Sequence, residues 1–151
     1  MIKLDKRNLE SLKKIIKENT MTARVGILAD SPKIHKGSAL TNVEIGVIHE
    51  FGTEDMPRRS FLRMPLEMKL NPTLKEKNRL ETAMIAKILE TKDLTPLFKR
   101  ILRISQRIIQ DAFDTGGFGQ WKPSDFSRKK VHQTLVETSQ LRRSIRGEVV
   151  K

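Results

Sequence analysis

Apolar residues recur along this chain in two rhythms, one helical and one alternating. Leu4, Leu9, Leu12 and Ile15–Ile16 fall near helical spacing with lysines on the other side, and Asp5 stands where an N-cap belongs, so residues 4–18 are expected to form a helix. Thr22–Ala29 alternates Val25 and Ile27 with Arg24 and Gly26, the pattern of a strand with one buried face. Asp30 to Ser38, with Pro32 and Gly37, reads as a surface loop. Thr41-Asn42-Val43-Glu44 is a capping box, in which the Thr hydroxyl accepts from the Glu44 backbone N–H and the Glu side chain reaches back. It opens a helix over 41–51 whose apolar side is Val43, Val47, Ile48 and Phe51, with Gly52 as its left-handed stop.

Pro57-Arg58-Arg59 then makes a turn, after which Phe61 is expected to dock against the core. Asn71-Pro72 carries the N-cap and first-turn proline of a helix start, predicting a helix to about residue 90, and Thr95-Pro96 repeats the signal for a helix over 96–113. At ~100° per residue, Leu97, Phe98, Ile101, Leu102, Ile104, Ile108, Ile109, Ala112 and Phe113 share one half of that last helix. Gly116-Gly117-Phe118-Gly119 ends it and reads as a hinge or loop tip. A helical turn at 138–145 and a strand over 147–150, pairing with 22–29, close the pattern. The prediction is an α+β fold, with a small antiparallel sheet packed against one long amphipathic helix plus shorter helices. It forms one domain over 1–151, with mobile loops near 30–40 and 114–135.

Composition narrows the function. The 151 residues carry 30 Lys and Arg against 18 Asp and Glu, a net charge of +12, and no cysteine. Disulfides, thiol catalysis and Cys-ligated zinc are excluded. No apolar run reaches the ~18 residues of a membrane span, and Met1 to Glu10 has no signal-peptide core, so an intracellular, soluble protein is expected. The charge favours polyanionic partners, whether nucleic acid, acidic protein surfaces or acidic lipid. Lys99, Arg103 and Arg107 stack at i, i+4 spacing, either as a solvated back face or as a stripe facing phosphate or an acidic neighbour. Further basic residues lie at Arg58 and between Lys122 and Arg146, including Lys129, Lys130, Arg142 and Arg143. No aromatic follows Phe126 to make a stacking platform for single strands.

Catalytic patterns fail on inspection. His49-Glu50 begins like a zinc-protease helix, but Thr53 stands where the second imidazole is required. The glycine cluster at 116–119 lacks the ending of a phosphate-binding loop and follows a helix. Glu54-Asp55 are adjacent and point apart, and Asp111 with Asp114 is too weak a pair to carry acid–base chemistry. No enzyme activity, cofactor or metal is expected.

Two stretches resemble a known family. His49-Glu50-Phe51-Gly52-Thr53 with Met56-Pro57-Arg58-Arg59-Ser60-Phe61-Leu62-Arg63, and Gln120-Trp121-Lys122-Pro123 with Leu135-Val136-Glu137-Thr138-Ser139-Gln140-Leu141-Arg142-Arg143-Ser144-Ile145, are similar to the signatures of tailed-phage tail-completion proteins. That family also includes virion-morphogenesis, minor tail and head–tail joining proteins. The resemblance spans residues 25–150 and departs from the family pattern at Glu137-Thr138-Ser139, usually Asp-Thr-Gly, and at Arg58-Arg59-Ser60, usually Ala-Arg-Pro.

The resemblance implies a structural neck protein that completes the tail and joins it to the head connector as part of a ring, a hexamer being the ring that the resemblance implies. Partners would be further copies of itself, a head–tail connector or stopper, a tail terminator or tail-tube protein, and passing double-stranded DNA, with no membrane. It would reside in the virion neck, after assembly in the host cytoplasm. Interface residues would be His49, Glu50, Phe51, Gly52, Pro57, Arg59, Phe61, Trp121, Leu141, Arg142 and Ser144. Arg58, Lys99, Arg103, Arg107, Lys129, Lys130 and Arg143 would face the DNA channel or an acidic partner. Arg59, held by its turn, is suited to grip a neighbour's carboxylate bidentately. Phe51 and Phe61 flank the turn and are expected to lock it to the core, and Phe51, Phe61, Leu141 and Ile145 read more readily as plain core than as contacts. The alternatives are a sequence-independent nucleic-acid-binding protein and a tail terminator.

Overall fold

Short-range capping sets where the first elements begin. In the computed structural model, which describes residues 5–28, 39–76, 82–122 and 140–151, Asp5 accepts from the Asn8 N–H at 2.8 Å and starts α1 (Lys6–Glu18). Strand β1 (Thr22–Ile27) follows. Helix α2 (Asn42–Phe51) opens on the Thr41–Glu44 capping box, with Thr41 N–H to Glu44 at 2.8 Å and Glu44 N–H to Thr41 Oγ1 at 3.3 Å. The Thr41 N–H, and after it the Thr41 hydroxyl, which donates to the same carboxylate at 2.8 Å, hold the Glu44 carboxyl below its ordinary range. Then come α3 (Arg63–Glu76), α4 (Thr82–Thr91), α5 (Thr95–Asp114), α6 (Gln140–Ser144) and β2 (Ile145–Val150). The Asp93 carboxylate takes the Thr95 hydroxyl at 2.6 Å and its N–H at 2.9 Å, which fixes the turn into α5 and lowers the Asp93 pKa.

The architecture is α+β, and α5 is its spine. Strands β1 and β2 pair antiparallel from Thr22 opposite Val150 to Ile27 opposite Ile145. This two-stranded sheet packs on α5, and α3 packs on α5 as well. The shared core is Phe61, Ile109, Ala112, Phe113, Trp121, Leu141 and Ile145, with Val25, Ile27 and Ile45 packed around it. A two-stranded ribbon is marginal by itself, so this sheet depends on the α5 surface beneath it.

Several expectations change. The helix predicted to begin at Asn71-Pro72 is instead two helices, and Pro72 lies inside α3. Asn71, Pro72 and Met68 are all exposed, so the Met68 carbonyl that the proline leaves without a donor can be hydrated. On α2 the buried positions are Asn42, Gly46 and Glu50, while Val47 and Phe51 lie 52 % and 63 % exposed. The helix is rolled because Gly46 allows close approach to Phe61, Leu141 and Ile27, and because Glu50 is held inside. Phe51 therefore does not lock the turn to the core, although Phe61 does. Strand β2 starts at Ile145, two residues earlier than expected. The loop over 30–38, Lys129, Lys130, and the signature residues Pro123 and 135–139 lie outside the described residues.

Candidate functional site

The two resemblance-bearing stretches meet at the start of α3. A helix leaves its first backbone N–H groups without intrahelical partners. Here Glu50, reaching across from α2, accepts from Phe61 N–H at 2.9 Å, Leu62 N–H at 3.0 Å and Arg63 N–H at 3.1 Å. Ser60 Oγ donates to the same carboxylate at 2.7 Å and accepts from Met64 N–H at 2.9 Å. The next residue, Pro65, has no N–H to satisfy. The whole first turn is thus accounted for by one acid, one hydroxyl and one proline. Glu50 is only 6 % exposed, and these donors together with the positive end of α3 replace the water that its charge gives up.

The segment between α2 and α3 is clamped from both sides. Gly52 adopts φ 76°, and a Cβ there would lie 2.9 Å from Arg58 N, so only glycine makes this bend. Arg59 N–H donates to His49 O at 2.8 Å. The Arg59 side chain turns inward, 3 % exposed, and its Nε donates to Lys122 O at 2.8 Å, while Nη2 has no hydrogen-bond partner among the described residues. Burial lowers the Arg59 pKa. Arg59 therefore serves the interior of its own chain, and its guanidinium is not presented to a neighbour's carboxylate. Trp121 Nε1 donates to Ser60 O at 3.1 Å, and the Trp121 ring stacks edge-on to Phe113, with centroids 5.5 Å apart. Phe61 meets Phe113 at the same separation, with the rings tilted.

The glycine run delivers Trp121 to this junction. Gly117 N–H returns to Ala112 O at 2.6 Å and Trp121 N–H to Gly116 O at 3.0 Å, and a Cβ on Gly117 would overlap the indole. Residues 115–121 are thus a hydrogen-bonded fold-back at the end of α5, where the sequence suggested a hinge or loop tip.

Of the predicted interface residues, Glu50, Arg59, Phe61, Trp121 and Leu141 are buried within the chain. His49, Gly52, Pro57 and Ser144 are half-buried, and Phe51 is exposed. Arg142 grips Asp114 bidentately at 2.6 and 2.9 Å, tying α6 to the end of α5. The basic set separates differently. Arg58, Lys99 and Arg143 are exposed at separate places. Arg103 and Arg107 join Arg100, which the stripe reading missed, along a cleft of about 740 Å³ with Thr73 and Glu76 of α3, Met84 of α4, and Ile104, Ile108 and Asp111 of α5. A neighbouring hollow carries the basic surface from Arg103 and Arg107 to Arg142. The i, i+3, i+7 spacing of Arg100, Arg103 and Arg107 was the available signal. No group of three or more His, Asp or Glu among the described residues could hold a metal, and no described helix is long and apolar enough to cross a membrane.

Compared with known proteins, the chain matches no family model, no curated protein and no solved structure.

Proposed function

We propose that this chain is a non-enzymatic structural protein of a tailed-phage or prophage neck, which completes the tail and joins it to the head connector as one subunit of a ring. One observation supports this reading above others. The motif residues that resemble tail-completion proteins, far apart in sequence, interlock through Glu50, Ser60, Arg59, Trp121 and Lys122. Residues that recur together in a signature are expected to share a physical task, and here that task is holding the exposed α2–α3 tip at a fixed angle to α5.

In this reading the function is assembly. Many weak contacts, repeated by symmetry, sum to a stable ring, so isolated protein is expected to be monomeric or heterogeneous at low concentration. The proposed neighbours are further copies, a connector or stopper protein, and a terminator or tail-tube protein, with double-stranded DNA passing through. The decisive experiment deletes the encoding gene from the phage and examines lysates by electron microscopy. Filled heads and separate unfinished tails are expected, with virions restored by the wild-type chain in trans. Normal virion yield without the gene refutes the proposal. The net charge of +12 keeps a sequence-independent nucleic-acid binder as the second reading. That reading requires duplex binding whose log–log salt slope falls by about −0.9 per phosphate contact.

A further inference from the structure

Two exposed surfaces on this chain are complementary in both charge and polarity, yet cannot meet within one molecule. The first is the tip that joins α2 to α3. Val47 and Phe51, i and i+4 on α2, are exposed apolar side chains. Beyond them Glu54 and Asp55 are exposed, and neither has an ion pair among the described residues. The turn that carries them is preformed: Thr53 N–H donates to Met56 O at 2.9 Å, and Met56 N–H to Thr53 Oγ1 at 3.1 Å. An aromatic and two carboxylates are thus presented on a braced turn.

The second surface is the arginine cleft. Arg103 and Arg107 are exposed and unpaired among the described residues, and the floor between them and α4 is Met84, Ile104 and Ile108. Unpaired arginines at this spacing repel one another, so an acidic occupant is favoured. The apolar floor has no use for a phosphate backbone. A turn bearing one aromatic and two carboxylates matches the apolar floor and the two arginines, with its carboxylates set away from Glu76 and Asp111 at the rim. Within one chain the two surfaces lie toward opposite ends of α3: the tip is bound to its start through Glu50, and the cleft takes Thr73 and Glu76 from its end. At ~1.5 Å per helical residue the ends of α3 are about 20 Å apart.

We propose that the Val47–Asp55 tip of one copy docks in the Arg103–Arg107 cleft of the next, with Glu54 and Asp55 paired to the arginines and Phe51 on the apolar floor. The contact joins two different patches, so each copy keeps one free tip and one free cleft, and the geometry propagates head to tail until it closes. This inference rests on the ring reading above and supplies its subunit contact.

The test is sedimentation velocity on the full chain up to hundreds of micromolar, at low and high salt. Wild-type protein should self-associate weakly, and less so in high salt. A tip variant, Glu54→Lys with Asp55→Lys, and a cleft variant, Arg103→Glu with Arg107→Glu, should each weaken self-association at least ~tenfold. All four positions are exposed, and unchanged circular dichroism confirms the fold. Mixed in equal amounts, the two variants should associate again, because the acidic tip of the cleft variant fits the arginine cleft of the tip variant, and the lysine tip of the tip variant fits the glutamate cleft of the cleft variant. Combining all four substitutions in one chain should restore self-association, and Phe51→Ser should weaken it without changing charge. The proposal is overturned by a wild-type chain that stays monomeric throughout, by a cleft variant that associates like wild type, by a mixture that does not associate, or by arginine variants that lose only duplex binding. Failure of the neck reading looks different. Virions intact after gene deletion, with tip–cleft pairing still present, would remove the neck role and leave this contact standing. Virions lost on deletion, with a chain that never self-associates, would do the reverse.

Discussion

Replacing Glu50 by alanine should cost far more than an average substitution on a helix. The carboxylate accepts four hydrogen bonds, and Phe61 N–H and Ser60 Oγ among the donors are fully buried. An orphaned buried N–H costs about 1–3 kcal/mol, and loss of a negative charge from a partly buried helix N-terminus up to about 2 kcal/mol. Leu62 and Arg63 N–H are only part-buried, so water can recover some of the loss there. The expected destabilisation is about 3–5 kcal/mol, against a total stability on the order of 5–15 kcal/mol for a domain. Glu50→Gln should cost roughly half as much, since one oxygen survives but an amide N–H₂ must face a donor. Urea unfolding read by Trp121, the chain's one tryptophan, measures this at the junction itself. With a slope of about 2 kcal/mol per molar, the alanine variant's midpoint should fall by about 2 M. A loss under about 1 kcal/mol for Glu50→Ala would show that solvent, not this carboxylate, satisfies the start of α3.

Other expectations follow from the same junction and from the capping box. Gly52→Ala, forced to hold a positive φ with its Cβ against Arg58, should lose about 1–3 kcal/mol, whereas an unchanged melting curve would mean that the bend can relax. Trp121→Phe keeps an aromatic beside Phe113 but strands the Ser60 carbonyl, and should cost about 1–3 kcal/mol by thermal or urea unfolding followed by circular dichroism. The Glu44 carboxyl, depressed by its bonds to Thr41, adds stability that is present above its unfolded value of 4.5 and is lost as pH falls through the lower folded value. Its titration midpoint by NMR should therefore lie below 4.5 and rise part of the way toward 4.5 in Thr41→Ala, which removes the hydroxyl but keeps the backbone N–H, and a midpoint that does not move would show that the hydroxyl contributes nothing to the shift.

What the sequence revealed was mostly local. The Asp5 cap, the Thr41–Glu44 box, the start of α5 near Pro96 and the α5 apolar face rest on neighbours at most four residues apart and were readable from spacing. Thr95, however, lies inside α5, and Leu94, without a side-chain bond, takes the N-cap position expected for it. The pairing of the two strands was also anticipated, because alternation left few other partners. Interactions across the chain were not readable. Nothing in the composition of α2 tells that Glu50 will cap another helix, since its donors lie ten to thirteen residues on and become neighbours only after the Gly52 bend. The same contact inverted the reading of α2, because a buried acid with four donors outweighs exposure of Val47 and Phe51. Asn71-Pro72 misled for a related reason. A proline at an exposed position late in a helix is tolerated when packing of α3 on α5 holds the rest in place. Arg59 looked like a reaching side chain because its turn was recognised, while the Lys122 carbonyl that captures it lies 63 positions away.

The register of the sheet has a kinetic meaning. Thr22 pairs with Val150, so the two strands are joined by nearly the whole chain. Closing so long a loop from a disordered state costs about 4 kcal/mol of entropy before any ladder bond forms. Helix formation within α5, and its packing with α3, involve much closer neighbours and can shorten that loop in advance. The order of events that follows has α5 forming early as a template, α3 settling on it, and the two strands meeting last. Amide exchange during refolding should show protection in α5 ahead of Val25 and Val149. Until that final step the α5 surface destined for the sheet remains open to water, which makes the unzipped ribbon, rather than any helix, the place where this chain is most exposed to mispairing with another.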